Sequence, residues 1–294
     1  MNTSPNLSKI RYLSGFADEA GADLATQIRA TQELGWHHIE MRNVLAPGFP
    51  GGNLHDISDA AFNTVTEQLD AAKIRINCFG TAIGKDAAAF DYDVQAARNI
   101  AARAAKVGAN LARVMSYPIH SLPEEEVFRR LREITQILAD GGVQAVVENC
   151  YSYAAMSASH AQRLIENVPG AAIVFDPGNC VGFPDYSQPQ PYPQQSAWEF
   201  YTAIRPYIVH FHVKDARWEG SKSHTFPGEG EADVKPILAD LLASGYDGGI
   251  SIEPHLENTG LSDDSHSQAE RCFESYVEYG RRLEKLLAEI SSVC

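Results

Sequence analysis

The sequence predicts an α/β chain folded as a single (β/α)8 TIM barrel, and three observations carry that prediction. First, eight short apolar runs alternate with amphipathic stretches along the chain, punctuated by Gly, Asp and Pro. Parallel neighbours need a crossover, and crossover helices cover the sheet's outer face, so regular alternation of this kind closes as a barrel. Second, the turn after the first run reads Gly15-Phe-Ala-Asp-Glu-Ala-Gly21, not the glycine fingerprint that a doubly wound dinucleotide-binding sheet carries there. That open sheet is the competing architecture. Third, no linker or composition break divides the chain. Residues 11–294 are therefore expected as one barrel with a C-terminal helix, behind a flexible tail over residues 1–10.

The expected strands are Tyr12–Ala17, His38–Met41, Ile74–Gly80, Ala112–Ser116, Gln144–Glu148, Ala172–Phe175, Ile208–Val213 and Gly249–Glu253. Between them, Phe62, Val65, Leu69 and Ala72 recur at helical spacing behind a Ser58–Asp59 start, and Val127, Leu131, Ile134 and Leu138 do the same. In the second case Ser121 and Glu124 read as a capping box, with Pro123 in the first turn and Gly141 as the stop. Further helices are expected over Val94–Val107 and Val234–Ala243. A long C-terminal one carries Phe273, Tyr276, Leu283, Leu287 and Ile290 on one face.

Composition narrows the function classes. The chain has 294 residues, of which 44% are hydrophobic and 21% charged, as in an ordinary globular protein. Its formal net charge of −14 repels nucleic-acid backbones and anionic lipid, and no basic stripe reverses that field. No apolar run approaches the roughly 20 residues that span a bilayer, and residues 1–10 lack an apolar signal core, so a cytoplasmic location is expected. The five cysteines (Cys78, Cys150, Cys180, Cys272 and Cys294) have no CxxC spacing and are expected as reduced thiols.

In a TIM barrel the active site lies at the C-terminal ends of the strands, so the polar residue ending each run is informative. Strand five reads Ala145-Val-Val-Glu148, strand six Ile173-Val-Phe-Asp176, strand seven Val209-His-Phe-His-Val-Lys-Asp215 and strand eight Ile250-Ser-Ile-Glu253-Pro254. Glu148, Asp176, His212 and Glu253 are thus expected to converge. Three carboxylates in one small cavity repel one another unless a proton or a cation intervenes, and the imidazole beside them favours the cation. Oxygen-rich ligation with one nitrogen suits Mn²⁺, the leading expectation, and also Mg²⁺, Co²⁺ or Zn²⁺. Each residue alone reads more readily as a strand cap than as a ligand; the set of four points to a metal.

Several runs carry a family resemblance: Val147-Glu148-Asn149, Phe175-Asp-Pro-Gly-Asn179, His210-Phe-His-Val-Lys-Asp215, Pro227-Gly-Glu-Gly230 and Ile252-Glu-Pro254. With Gly15-Phe-Ala-Asp-Glu19, Gly35-Trp-His-His-Ile-Glu40 and Gly80-Thr-Ala-Ile-Gly-Lys85, they make nearly the whole chain resemble the sugar isomerase/epimerase superfamily of xylose-isomerase-like TIM barrels. The resemblance implies Glu148, Asp176, His212 and Glu253 as metal ligands, and Glu148 and Glu253 as the two glutamates that move protons. It also implies Asn179 near substrate, at a position where the ketose 3-epimerases carry histidine. Arg217 stands one residue closer to the His-x-His run than the arginine of those epimerases. Both departures alter how substrate hydroxyls are held.

The expected activity is divalent-metal-dependent epimerisation or isomerisation of a sugar or keto-sugar. One glutamate removes the proton beside a carbonyl to form a metal-held enediolate, and the other returns one to the opposite face. The competing enzyme class is a metal-dependent lyase or dehydratase that starts with the same proton abstraction and expels a β-substituent from a keto-sugar, keto-inositol or 3-keto-glycoside. A non-catalytic sugar-binding barrel and an abasic-site nuclease rank below these, the nuclease disfavoured by the −14 charge.

The expected partner is a small carbohydrate, unphosphorylated because no Gly-rich phosphate cradle is legible, with neither nucleic acid nor membrane. His210 and Lys214 share the inward direction of His212. Each is a candidate for substrate contact, with a packed or salt-bridged role as the alternative. Arg217 is a further candidate for substrate contact. Residues 215–233 form a long connection containing Trp218, His224 and Phe226, read as a lid or a subunit contact. Pro191-Tyr-Pro193 and Phe273–Tyr279 are candidate cover for a homo-oligomer interface.

Overall fold

The computed structural model describes residues 10–256 and 267–293. The expected tail over 1–10, save Ile10, and Cys294 lie outside the described residues. Eight parallel strands form the barrel: β1 (Tyr12–Gly15), β2 (His38–Met41), β3 (Arg75–Gly80), β4 (Leu111–Val114), β5 (Gln144–Glu148), β6 (Ala172–Phe175), β7 (Ile208–Val213) and β8 (Gly249–Ile252). Their order around the sheet is β1-β8-β7-β6-β5-β4-β3-β2, and a parallel bridge between Phe16 and Glu40 draws the β1–β2 seam together.

The crossover helices are α1 (Leu24–Glu33), α2 (Asp59–Ala72), α3 (Phe90–Val107), α4 (Glu124–Asp140), α5 (Ala158–Asn167), α6 (Ala197–Ile204) and α7 (Val234–Ala243), followed by α8 (Gln268–Val293). Short antiparallel hairpins follow β2 (Asn43–Val44 with Gly52–Asn53) and β7 (Asp215–Trp218 with Lys222–Thr225). No helix among the described residues is long and apolar enough to cross a membrane.

Local signals explain most boundaries. The Ser58 hydroxyl accepts from the Ala61 N–H at 3.2 Å and caps α2, whose Phe62, Val65 and Leu69 are buried. The capping box expected at Ser121 and Glu124 does not form. Pro123 itself is the N-cap, with φ −57° and an extended ψ of 143°, and the Ser121 hydroxyl is spent on the Pro118 carbonyl at 2.5 Å. The helix therefore starts at Glu124, where three consecutive glutamates meet the positive end of its dipole, and stops at Gly141 as expected. Helix α3 begins at Phe90 rather than Val94, with Asp91 and Asp93 in its first turn.

Period-two alternation divides each strand between two environments. Ala145, Val147, Ile173, Phe175, Phe211 and Val213 face outward into the large core under the helices. Val146, Ala172 and Val174 join Cys78 and Leu111 in a small apolar plug. Residues two steps further on from the plug are Glu148 and Asp176, so alternation alone carries them above it to the site. On α8, Tyr276, Tyr279, Leu283, Leu287 and Ile290 are buried. Tyr276 and Tyr279, offered above as interface cover, are thus consumed by the chain's own core, whereas Tyr192 is 39% exposed.

Candidate active site

Each of Glu148, Asp176, His212 and Glu253 offers one ligand atom, and these atoms all lie within 4.8 Å of one another. Asp176 and His212 are fully buried, and Glu148 and Glu253 are only 5% and 4% exposed. Glu148 ends β5; Asp176 and Glu253 are the first residues past β6 and β8; His212 lies near the end of β7. Asn149 fixes the spacing of β5 and β6: its amide donates to the Asp176 carbonyl at 2.9 Å, and its side-chain oxygen accepts from the Asp176 N–H at 2.7 Å. Asn179 donates to Glu148 Oε1 and to the Asn149 carbonyl, both at 2.9 Å.

Lys214, 4% exposed, sits among these groups. Its ammonium touches Asp176 Oδ2 and stands 3.1 Å from Glu253 Oε2. Burial works against the charge on Lys214, but Asp176, Glu253 and Glu148 outweigh it and hold the pKa well above the ordinary lysine value. Burial, opposed by Lys214 and reinforced by Glu253 and Glu148, brings Asp176 up to about 6. Burial also acts to raise Glu253, yet Lys214, His212 and His255 hold it well below the usual carboxylate range.

Glu40, at 0% exposure inside the barrel, orients the histidines. Its carboxylate is 2.9 Å from His210 Nε2 and 3.2 Å from His212 Nε2. With Nε2 turned to Glu40, His212 presents Nδ1 towards Glu253 Oε2 at 3.5 Å. Burial lowers the basicity of His212, but Glu40 and Glu253 reverse this and raise its pKa to about 10.

His212 Nδ1 and Asp176 Oδ1 are buried without a hydrogen-bond partner among the described residues, and Asp176 Oδ2 has only the Lys214 ammonium. Orphaned donors and acceptors of this kind demand explanation. Three carboxylates with one imidazole nitrogen, oriented by a carboxylate on its other ring nitrogen, form a donor set that fits an oxygen-preferring divalent ion. Burial pushes the Cys150 thiol up to about 12, so the one cysteine on the cleft is not poised as a thiolate ligand.

The four-residue group opens onto a cleft of about 500 Å³, bordered by Glu148, Glu253, Asn179 and Lys214. Two candidate substrate contacts lie elsewhere. His210 is fully buried beneath the cleft, because inward alternation carries it to Glu40 and the aromatic ring of Tyr12. Arg217 is exposed and donates through Nε and Nη2 to the Glu229 carbonyl at 2.9 and 2.6 Å, which turns it away from the opening.

Other cleft residues escape a reading of strand ends. Arg113 is a charge within the apolar run of β4, and that position is the signal that would have exposed it; its Nε is 3.3 Å from Glu148 Oε2. Arg42 follows β2 and pairs with Asp18 at 2.9 Å. His255 approaches Glu253 at 3.2 Å and Glu19 at 3.2 Å. Lys85 arrives on the loop after β3, and Lys222 and His224 on the second strand of the hairpin that follows β7.

The connection over residues 215–233 is not a free flap but a hairpin tied to one buried carboxylate. Asp215 accepts from the N–H groups of Ala216, Gly228, Gly230 and Ala232 at 2.9 to 3.1 Å. This explains the Pro-Gly-Glu-Gly run: Gly228 has φ +83°, and a side chain at Gly230 would strike Asp215.

Among curated proteins, none matches this chain by sequence. Solved structures match along most of its length. A xylose isomerase-like TIM barrel protein from Mycobacterium smegmatis, in complex with magnesium, has a TM-score of 0.67 and 17% identity over 98% of this chain and 98% of that one. The 3-keto-D-glucoside 4-epimerase of E. coli has a TM-score of 0.60 and 16% identity over 92% and 99%. A D-allulose 3-epimerase from Methylomonas sp., in complex with D-allulose, has a TM-score of 0.60 and 15% identity over 90% and 96%. The model of one family, described as xylose isomerase-like TIM barrel, matches residues 28–275. The chain belongs to the xylose isomerase-like TIM barrel family.

Proposed function

We propose that this protein is a divalent-metal-dependent epimerase or isomerase of a sugar or keto-sugar. The observation that carries the reading is the convergence of Glu148, Asp176, His212 and Glu253 within 4.8 Å, with both glutamates on the cleft wall. The sugar epimerases among the structural neighbours and the magnesium of the M. smegmatis protein support it. These four residues would hold the ion, Mn²⁺ or Mg²⁺ by the chemistry of the donors. When bound, such an ion supplies Lewis acidity that stabilises negative charge on a substrate oxygen.

The chain's own residues supply the rest. Glu148 and Glu253 reach the cleft from strands separated by β6 and β7, so they flank a substrate rather than sharing one side of it. One carboxylate takes the proton from the carbon beside the carbonyl, leaving the bond's electron pair in an enediolate. The other, as the acid, delivers a proton to the opposite face and inverts the centre. Asn179 and Arg113 orient Glu148. His255 and Lys214 orient Glu253.

The test is solvent deuterium uptake by candidate ketoses and keto-glycosides on Mn²⁺-loaded protein, followed by mass spectrometry. Glu148→Gln and Glu253→Gln should each reduce uptake by about 10³-fold or more. Undiminished exchange in either variant contradicts the assigned role. An unchanged product mass apart from deuterium supports epimerisation, whereas loss of water or an aglycone assigns the elimination chemistry instead.

A further inference from the structure

We propose that the sugar accepted by this cleft carries an anionic group, a carboxylate or a phosphoester, recognised chiefly by Lys222. The proposal rests on the reading of the site as a sugar site and narrows its substrate class.

The argument starts from a local reversal of charge. The chain as a whole carries −14, yet the cleft is bordered by five basic side chains, Arg42, Lys85, Arg113, Lys214 and Lys222, against two carboxylates, Glu148 and Glu253. Three of the cations are matched: Arg42 by Asp18, Arg113 by Glu148, and Lys214 by Asp176 and Glu253. Lys85 and Lys222 have no ion-pair partner among the described residues. Lys85 is exposed at the mouth, where water suffices for it. Lys222 is half-buried, and its one acceptor is the Gly178 carbonyl at 2.8 Å. An ammonium has three donors, so two remain for the cleft.

Lys222 is also held in position. Its strand pairs with Asp215–Trp218, and Asp215 is locked by four backbone N–H groups. Its Nζ stands 4.4 Å over the ring of Phe183, which is stacked on Tyr151 at 3.7 Å. A solvated surface lysine needs no such seat. Burial, then repulsion from Lys214, draws the Lys222 pKa down to about 8. These cations crowd one another, and a divalent ion among the ligands would add positive charge on the same side. An anionic substituent is the complement that relieves the crowding.

The experiment is calorimetric titration of Mn²⁺-loaded protein with D-glucose, D-glucuronate and D-glucose 6-phosphate. At least one acidic sugar should bind about tenfold or more tightly than D-glucose, the increment of one charge-assisted hydrogen bond, and the arm that does so identifies carboxylate or phosphoester. Lys222→Met should reduce the preference to about twofold or less, and Lys222→Arg should retain most of it, with melting temperatures reporting that both fold.

Equal binding of neutral and acidic sugars overturns the proposal. So does a preference that survives in Lys222→Met, since the anion would then be held by the metal or by another cation of the cleft. Lysine-dependent binding of an acid without deuterium exchange in any acidic sugar would break the proposed reaction and leave this inference standing; exchange in neutral sugars without any acid preference would do the reverse.

Discussion

From β5 to β8 the strand ends deliver the carboxylates Glu148, Asp176 and Glu253, with His212 among them, whereas β2 to β4 and their loops bring the cations Arg42, Lys85 and Arg113 to the same cleft. Neither half is electrostatically tolerable alone. Three buried carboxylates repel one another, and so do three basic side chains at the rim. Closing the barrel sets Arg113 against Glu148 and Arg42 within 3.7 Å of Glu253. It also places Glu40 of β2 against the His210–His212 pair of β7. The second half supplies the carboxylates and His212, and the first half orients and balances them.

Lys214 is the sharpest probe of that division, because it is a cation supplied by the anionic half. Removing one partner from a buried charge group typically costs about 3–5 kcal/mol. Lys214→Met should therefore lower the melting temperature markedly in metal-free protein, and Mn²⁺ should restore more stability to the variant than it adds to the wild type. Equal stabilisation of both would mean that ion and ammonium do not share the same carboxylates.

Asp215→Ala tests whether the hairpin that carries Lys222 and His224 is built around one acceptor. Loss of four charge-assisted hydrogen bonds, partly replaced by water, is expected to cost about 2–4 kcal/mol by thermal or urea denaturation. A change below about 0.5 kcal/mol would show that the hairpin stands without its anchor.

A smaller effect is expected at Glu40, the contribution of the first half to the imidazoles. Glu40→Gln should weaken Mn²⁺ binding by about 10–100-fold in equilibrium dialysis, because a neutral amide holds the imidazole N–H less firmly. Unaltered affinity would separate the two halves and undo the contrast.

The smallest effect belongs to Arg217→Ala. With its guanidinium turned to the Glu229 carbonyl, deuterium uptake should stay within about twofold and stability within about 0.5 kcal/mol. A loss of tenfold or more would return Arg217 to the substrate.

Much of the carboxylate half was legible because alternation and strand position together fix direction. Glu148, Asp176 and Glu253 each close an apolar run, so a count of two along each strand points them away from the helices and above the apolar plug. For His210 the same count gives the side of the strand but not the depth, so it left substrate contact and a packed role both open, and His210 lies on Glu40 one layer below the cleft opening. Arg217 sits in a hairpin whose turn and pairing no periodicity announces. Asn179 was placed near substrate by resemblance, and its amide lies on Glu148 Oε1, a contact that depends on the turn after β6. The capping box at Ser121 was a valid local signal that lost to a stronger one, the fixed φ of Pro123.

The cationic half was nearly invisible, since Arg42 and Lys85 lie on loops and look like ordinary solvated side chains until the barrel closes. The sequence by itself determined the alternation of strands and helices, the single domain, and which carboxylates and which imidazole end the later strands. These follow from short-range rules of periodicity and turn chemistry. Tertiary structure alone decided which charges meet, the distance between Lys214 and its two carboxylates, and the seat of Lys222. Contacts between residues tens to hundreds of positions apart depend on barrel closure and register, which no local pattern encodes.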